Sequence, residues 1–426
     1  MKTLREKISA GGFDPAFKEL YRQNGDDTAP ARIRWLSLLD KHSSLYDDAP
    51  GAMLFSTPGR TEIGGNHTDH QHGCVLAGSV DMDMIAVAAP TGDDTIRLAS
   101  EGFPQQVIRL EERMEPDSAD FNDSRALVRG IAAQFRARGH RVTGFNACLT
   151  SNVLKGSGLS SSAAFEVMLG TIMNHLFAGG AVSDIEVCKI GRYAENCYFG
   201  KPCGLMDQIA CCVGGVAFID FKDIDNPEIS RISVDFRTRG YALCIIDSGA
   251  DHSDMTDEYS PIPAEMSAVA KCFGKQYLRE VDKSQLLLWL SRVREQTGDR
   301  AVIRALHFFA DSQRTVDEAR ALTAGDVDTF LKLVNESGRS SHMYLQNVFP
   351  LGSTRHQAVG LALALCDEFL GGRGAFRVHG GGFAGTVQAF VPLDIVDSFR
   401  DDIERALGAG SCHVLAIRNI GSVKLG

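Results

Sequence analysis

Four side chains able to bind a metal or move a proton, His67, Asp69, His70 and His72, are packed into six positions of the stretch Gly59-Arg-Thr-Glu-Ile-Gly-Gly-Asn-His-Thr-Asp-His-Gln-His-Gly73, in a chain with only 12 histidines. Imidazole and carboxylate are ordinary zinc ligands, so the run could be a metal site. A cluster carried on a loop has no defined geometry of its own, however, and a loop that grips a polar ligand would use the same residues.

The segment Lys155-Gly-Ser-Gly-Leu-Ser-Ser-Ser-Ala-Ala164 suits a different chemistry. Small residues let backbone amides approach an anion closely, and a helix starting near Ser162 would turn its positive end to the same point. Gly156, Ser157, Gly158, Leu159, Ser160, Ser161 and Ser162 therefore read as a polyphosphate loop. Their hydroxyls can donate to phosphate oxygens or ligate magnesium, which prefers hard oxygen donors. A flexible turn capped by serine is the plainer alternative. The Walker pattern is absent, because neither Gly200-Lys201 nor Gly274-Lys275 follows the glycine that pattern requires. Gly380, Gly382 and Gly385 satisfy GxGxxG, yet Thr386 to Val391 reads as a strand where a dinucleotide fingerprint must open a helix. Viewed alone, that segment is as much a β-turn as a functional loop. Two acids complete the inventory: Asp207, after the Gly200 to Gly204 turn, and Glu195 on the preceding helix. Asp207 by itself is as readily a cap or solvated turn residue, whereas a carboxylate at Glu195 would complete a magnesium site with a loop serine.

The elements that must position these residues follow from periodicity. The first fifty residues read as helix and loop, and an apolar run at Ala52 to Phe55 leads into the histidine-rich stretch. Ser79 to Pro90, Thr95 to Ser100, Gln106 to Leu110 and Thr143 to Thr150 read as strands, with a helix over Ser124 to Gly139. Helices are expected over Ala163 to Leu176 and from the capping box Ser183-Asp-Ile-Glu186 to Gly200. The turn-rich run Phe221 to Gly240 is expected to separate an N-terminal domain, residues 1–225, from a C-terminal one, residues 240–426. Beyond it come a strand at Tyr241 to Asp247 and a helical region over 264–340. The last eighty residues read helix (355–370), strand (375–379), glycine loop, strand (386–391), helix (395–407) and strand (412–417). This alternation lacks the regular βαβ rhythm of a doubly wound sheet, so the fold class expected is α+β in two domains.

The 426 residues, 44% hydrophobic and 23% charged, can bury a full core without staples. A net charge of −10 argues against a nucleic-acid or anionic-membrane partner. Eleven cysteines without a CxxC pair suit reduced thiols in a cytoplasmic protein. The first residues, MKTLREKISAGGFDPAF, have no apolar signal-peptide core.

Together the motifs resemble galactokinase, within the GHMP superfamily of small-molecule kinases. Pro58-Gly-Arg60 through Gly65-Asn-His67-Thr-Asp69 is similar to the family's first motif, Gly156 to Ala163 to the second, and Arg377-Val-His-Gly-Gly-Gly-Phe-Ala-Gly385 to the third. Ala194-Glu195 with Gly200-Lys-Pro-Cys-Gly-Leu-Met-Asp207-Gln208, and Asp247 to Tyr259, resemble segments of the galactokinase branch. The resemblance covers most of residues 50–260 and the last eighty. It implies a two-domain GHMP-kinase-like architecture with mixed sheets and an active site in the cleft between domains. It also implies phosphoryl transfer from MgATP to the anomeric hydroxyl of a galactose-like sugar in a protein expected to be monomeric. Asp207 would be the catalytic base and Arg60 its partner. Asn66, His67, Asp69, Gly204 and Tyr259 would bind sugar, residues 156–162 would bind ATP, and Ser161, Ser162 and Glu195 would hold Mg2+. The chain departs from the family pattern at Asn66, where a glutamate is common, at His70 for tyrosine, at Leu154 for proline and at Ala384 for glycine. Pro261-Ile-Pro263 replaces the arginines that usually follow the tyrosine. These departures leave open an anomeric kinase for an N-acetylhexosamine, an arabinose or a uronic acid, or a sensor of sugar and ATP without turnover.

Overall fold

The apolar run at Ala52 continues as a strand well into the first motif. A computed structural model describes residues 1–21, 27–47, 50–111, 114–154, 158–201, 203–250, 256–383 and 385–426. Gly156 and Ser157 of the expected phosphate loop, and Ala384, lie outside these. Strand β1, Met53–Gly64, pairs antiparallel with β2, Cys74–Pro90. The second half of β2 pairs with β5, Phe145–Ser151, and its first half with β6, Val216–Asp220. Beyond β5 lie β3, Thr95–Ser100, joined to it in parallel, and β4, Gln106–Arg109, at the edge. The helix Ser124–Ala137 lies on the crossover that a parallel pair requires.

The stretch of β2 from Met84 to Ala89 is buried on both faces, which suits its unbroken apolar composition. Ile85 and Val87 face Trp35 and Leu38 of the helix Ala29–Tyr46, while Ala86 and Ala88 face Ile131 and Met168 on the other side. Successive side chains of a strand point to opposite faces, so one strand feeds two cores.

A second sheet is antiparallel throughout. Its order is β11, Cys412–Leu415, then β8, Tyr241–Asp247, then β10, Thr386–Pro392, then β9, Ala375–Val378. Its outer face carries the helices Ala358–Leu370 and Val396–Leu407. Its inner face, through Leu243, Ile245 and Phe390, shares a core with Ile63, Leu76 and Val80 of the first sheet. The α+β class with mixed sheets is therefore observed. Sheet membership does not change at a single point along the chain. Within the turn-rich stretch 221–240, β7, Glu228–Ile232, pairs with β6, and the last strand, β12, Val423–Leu425, returns to β1. Among the described residues no helix is long and apolar enough to cross a membrane.

Candidate active site

Two breaks in the β1–β2 register, at Pro58/Arg60 and at Glu62/Gly64, bracket the polar residues of β1. Such bulges bend a strand and re-aim its side chains, a common device beside active sites. Gly59 sits within van der Waals distance of the second motif. A Cβ there would lie 2.9 Å from the Leu159 carbonyl, which instead accepts the Arg60 amide at 3.0 Å.

Arg60 donates from Nε to Asp207 Oδ1 and from Nη2 to Asp207 Oδ2, both at 2.8 Å, the bidentate geometry a guanidinium and a carboxylate adopt best. Its Nη1 bonds the Gly158 carbonyl, and Ser160 Oγ donates to Asp207 Oδ2. Asp207 lies in the first turn of the helix Met206–Val213, where the macrodipole also favours negative charge. Burial would raise its pKa, but the charge and paired hydrogen bonds of Arg60, with the Ser160 hydroxyl, outweigh it and hold the carboxyl below the ordinary range. Asp207 is therefore an ionised acceptor, half-buried and open to a cavity of ≈ 290 Å³ that also meets Arg60, Glu62, His67, Asp69 and Gly204.

His67 occupies the left-handed region at φ 58°, and its Nε2–H donates to the Gly381 carbonyl at 2.9 Å. Burial pushes its pKa down to about 4, so the ring is neutral and Nδ1 is left as an acceptor toward the cavity. Gly204 admits Asp69: a Cβ at 204 would lie 2.6 Å from Asp69 Oδ2. His70 lines the same cavity, with Nε2 3.9 Å from Asp69 Oδ1, whereas His72 turns away and stacks on Tyr277 at 3.7 Å. Among the described residues no three His, Cys, Asp or Glu side chains converge as metal ligands, so the histidine run is divided between a cavity wall and a packing contact.

Two expected sugar contacts stand elsewhere. Asn66 is fully buried, and its amide has no capacity left. Its Nδ2 donates to Glu62 Oε1 at 2.9 Å and to the Gly380 carbonyl at 2.6 Å, while its Oδ1 accepts from Ser341 Oγ at 3.1 Å and Asn347 Nδ2 at 2.8 Å. Two donors and two lone pairs are thereby all used, so Asn66 braces the cavity from behind rather than facing it. Tyr259 also lies off the cavity wall. Its ring covers Gly381, where a Cβ would meet Cε1 at 2.5 Å, and its hydroxyl donates to the Gly382 carbonyl at 3.0 Å.

At the other end of Asp207 the helix Ser161–Phe177 begins directly after Ser160, which is left-handed at φ 52° and caps no amide with its side chain. The first-turn amides are therefore not satisfied by a cap, and Ser162 is exposed beside them. Glu195 sits in the π-helical turn Ala194–Phe199, buried, with Oε1 3.2 Å from Lys201 Nζ and Oε2 accepting from Gln208 Nε2 at 3.2 Å. Gln208 Nε2 also donates to Glu166 Oε2 at 2.9 Å. Glu166 lies four residues beyond Ser162 on the same helical face, so this bridge brings Glu195 alongside the helix start. Burial, reinforced by the charge of Glu195, drives the Glu166 carboxyl well above the carboxylate range. Its Oε1 has no hydrogen-bond partner among the described residues. Both Glu195 oxygens are engaged here, by Lys201 and Gln208, so a magnesium ion held with Ser161 or Ser162 would have to take one of them from these partners.

Glu62, Lys201, Glu166 and Gln208 face or support the site without having stood out in the sequence. Lys201 lacks a Walker context, and the i, i+4 spacing of Ser162 and Glu166 is the local signal for the second acid. The third motif is bonded to the first. Arg377 Nη1 donates to the Ile63 carbonyl at 2.8 Å and its Nη2 to Glu62 Oε1 at 2.5 Å, and His379 Nε2 accepts the Glu62 amide at 3.2 Å.

Residues 126–215 match the family model of the GHMP kinase N-terminal domain, and residues 40–90 match the galactokinase galactose-binding signature. Galactokinase of Lactococcus lactis, solved with galactose, is similar over 92% of this chain and 100% of its own, at 25% identity and a TM-score of 0.78. Mevalonate kinase of Methanococcus jannaschii shares the fold over 86% of this chain and 99% of its own, at 14% identity and a TM-score of 0.60. Phosphomevalonate kinase of Streptococcus pneumoniae does so over 88% and 100%, at 11% identity and a TM-score of 0.58.

Proposed function

The chain belongs to the GHMP kinases and carries the galactokinase galactose-binding signature, and from this premise we propose that it transfers the γ-phosphoryl group of ATP to the C1 hydroxyl of galactose, yielding galactose 1-phosphate and ADP. The observation that carries the reading is the position of Asp207. Its ionised carboxylate is clamped by Arg60 and Ser160 between the cavity lined by Glu62, His67 and Asp69 and the start of the helix Ser161–Phe177.

In this reading the sugar lies against His67 and Asp69 with C1 toward Asp207. The C1 hydroxyl gives its proton to an Asp207 oxygen as it attacks the γ-phosphorus, and the bond to the β-phosphate oxygen breaks. Arg60 keeps Asp207 ionised and faces charge growing on the phosphoryl oxygens, an electrostatic contribution on the order of several kcal/mol. The amides of residues 158–162, and Lys201 at the cavity edge, receive the phosphates. Glu195 with Ser161 or Ser162 would hold the magnesium that accompanies ATP, which would offset the charge of the β- and γ-phosphates.

ADP release measured over a panel of monosaccharides tests the assignment. Galactose is expected to be the best substrate. Preferential turnover of another hexose, an arabinose or a uronic acid would keep the chemistry and replace the sugar, and nucleotide binding without turnover of any sugar would overturn the enzyme reading.

A further inference from the structure

We propose that Glu62 is a specificity-determining residue that accepts a hydrogen bond from a sugar hydroxyl through Oε2, with Asn66 and Arg377 as its positioning residues. The inference rests on the reading of the cavity as a sugar site and adds a contact to it.

Three observations carry it. Glu62 lines the cavity beside Asp69 and Asp207, although it precedes the histidine-rich run and lies on β1. Its two carboxylate oxygens are used unequally. Oε1 accepts from Arg377 Nη2 at 2.5 Å and Asn66 Nδ2 at 2.9 Å, whereas Oε2 accepts from no group among the described residues and is not one of the enclosed orphan atoms. A carboxylate this buried gains little from leaving half its acceptor capacity unused, so an open Oε2 facing a cavity is matched to a donor that arrives with the ligand.

The third observation is rigidity. The Glu62 amide donates to His379 Nε2 at 3.2 Å, and its carbonyl accepts Gln388 Nε2 at 3.0 Å. Arg377, fully buried, holds the carboxylate and the next carbonyl together. A carboxylate fixed at backbone and side chain presents Oε2 at one place, which is what discrimination between hydroxyl stereochemistries requires. His67 Nδ1 and the Asp69 carboxylate add further acceptors to the wall, beside the donors Arg60 and Lys201. A wall that mixes acceptors with donors suits hydroxyl groups, which can serve both.

The test uses the full-length protein and whichever sugar of the panel the parent enzyme phosphorylates, so the contact is judged apart from the identity of the sugar. Glu62→Gln keeps the size of the side chain and an oxygen for Arg377 and Asn66 but replaces the acceptor facing the cavity with an amide donor. The sugar Kd is expected to rise by about tenfold or more, as for a lost hydrogen bond to a charged group, with the ATP Kd unchanged. With a set of monodeoxy sugars, the parent should lose affinity most for one position, and that penalty should shrink in Glu62→Gln. A folded variant with an unchanged sugar Kd and an unchanged deoxy profile would overturn the proposal. A crystal of the parent protein with bound sugar gives a readout that needs no variant. A sugar oxygen within hydrogen-bond distance of Oε2 supports the contact, and a water in that place refutes it.

Discussion

At the phosphate end of the site the groups facing a ligand are neighbours in the chain, Gly158 to Ser162 running directly into their helix. At the sugar end they come from β1, the turn after it, the segment around Gly204 and the glycine loop. A single bond such as Asn66 to Gly380 spans 314 positions. A phosphate loop is made of backbone amides, so small residues beside a helix start are enough to define it. A sugar pocket is made of side-chain polarity, and which side chain faces inward depends on what stands behind it. Asp207 belongs to both ends, since Ser160 reaches it from one and Arg60 from the other.

Removing that joint should have the largest effect. Asp207→Asn keeps the shape but loses the proton acceptor, and kcat is expected to fall by roughly a thousandfold or more, within the range for losing a general base. ATP affinity, measured by calorimetry, should stay close to the parent value. Retained turnover would show that the two ends do not meet at Asp207.

Arg60→Met comes next and separates charge from geometry. The parent's Asp207 carboxyl is held low by Arg60 against the upward push of burial. Its active, ionised form is therefore present above that pKa and is lost as pH falls through it. Without the guanidinium the pKa rises, so the acid limb of the kcat/KM profile should move to higher pH. The plateau should drop by about a hundredfold, comparable to losing one preorganised donor. An unmoved acid limb would mean that another group sets it.

Asn66→Asp probes the support behind the sugar end. The change removes both donors, to Glu62 and to the Gly380 carbonyl, and sets a second carboxylate against Glu62 Oε1. A loss of about 2–3 kcal/mol in denaturant unfolding is expected, from two broken buried hydrogen bonds and a like-charge contact. The loss should be smaller at pH 5 than at pH 7, because protonation relieves the repulsion. A variant as stable as the parent would argue that Asn66 faces the cavity after all.

The same contrast decides how much was legible in the sequence. Strand β8 falls at Tyr241–Asp247 as its apolar run indicates, and the helix after the serines is displaced by only two residues at its start. β1 was hidden past Phe55, because Arg60 and Glu62 break the apolar pattern. Both are buried all the same, since Asp207 and Arg377 neutralise them. A strand can carry charges inward when their partners come from distant segments, and no local period reports that. For the same reason the resemblance pointed to Asn66, while Glu62, which lines the cavity, is held by Arg377 from 315 positions away.

Gly204→Ala tests the smallest of these distances. The Cβ it adds would stand 2.6 Å from Asp69 Oδ2, so Asp69 must swing away or the turn before Asp207 must shift. Among the described residues a Cβ at 204 would meet only Asp69 within 4 Å, so the disturbance should stay at the sugar end. The sugar KM is expected to rise about fivefold, equivalent to about 1 kcal/mol, with the ATP KM unaltered. If kcat fell instead while both KM values held, the turn would be placing Asp207 rather than making room for Asp69. The boundary between the two ends would then lie at Gly204 rather than at Asp207.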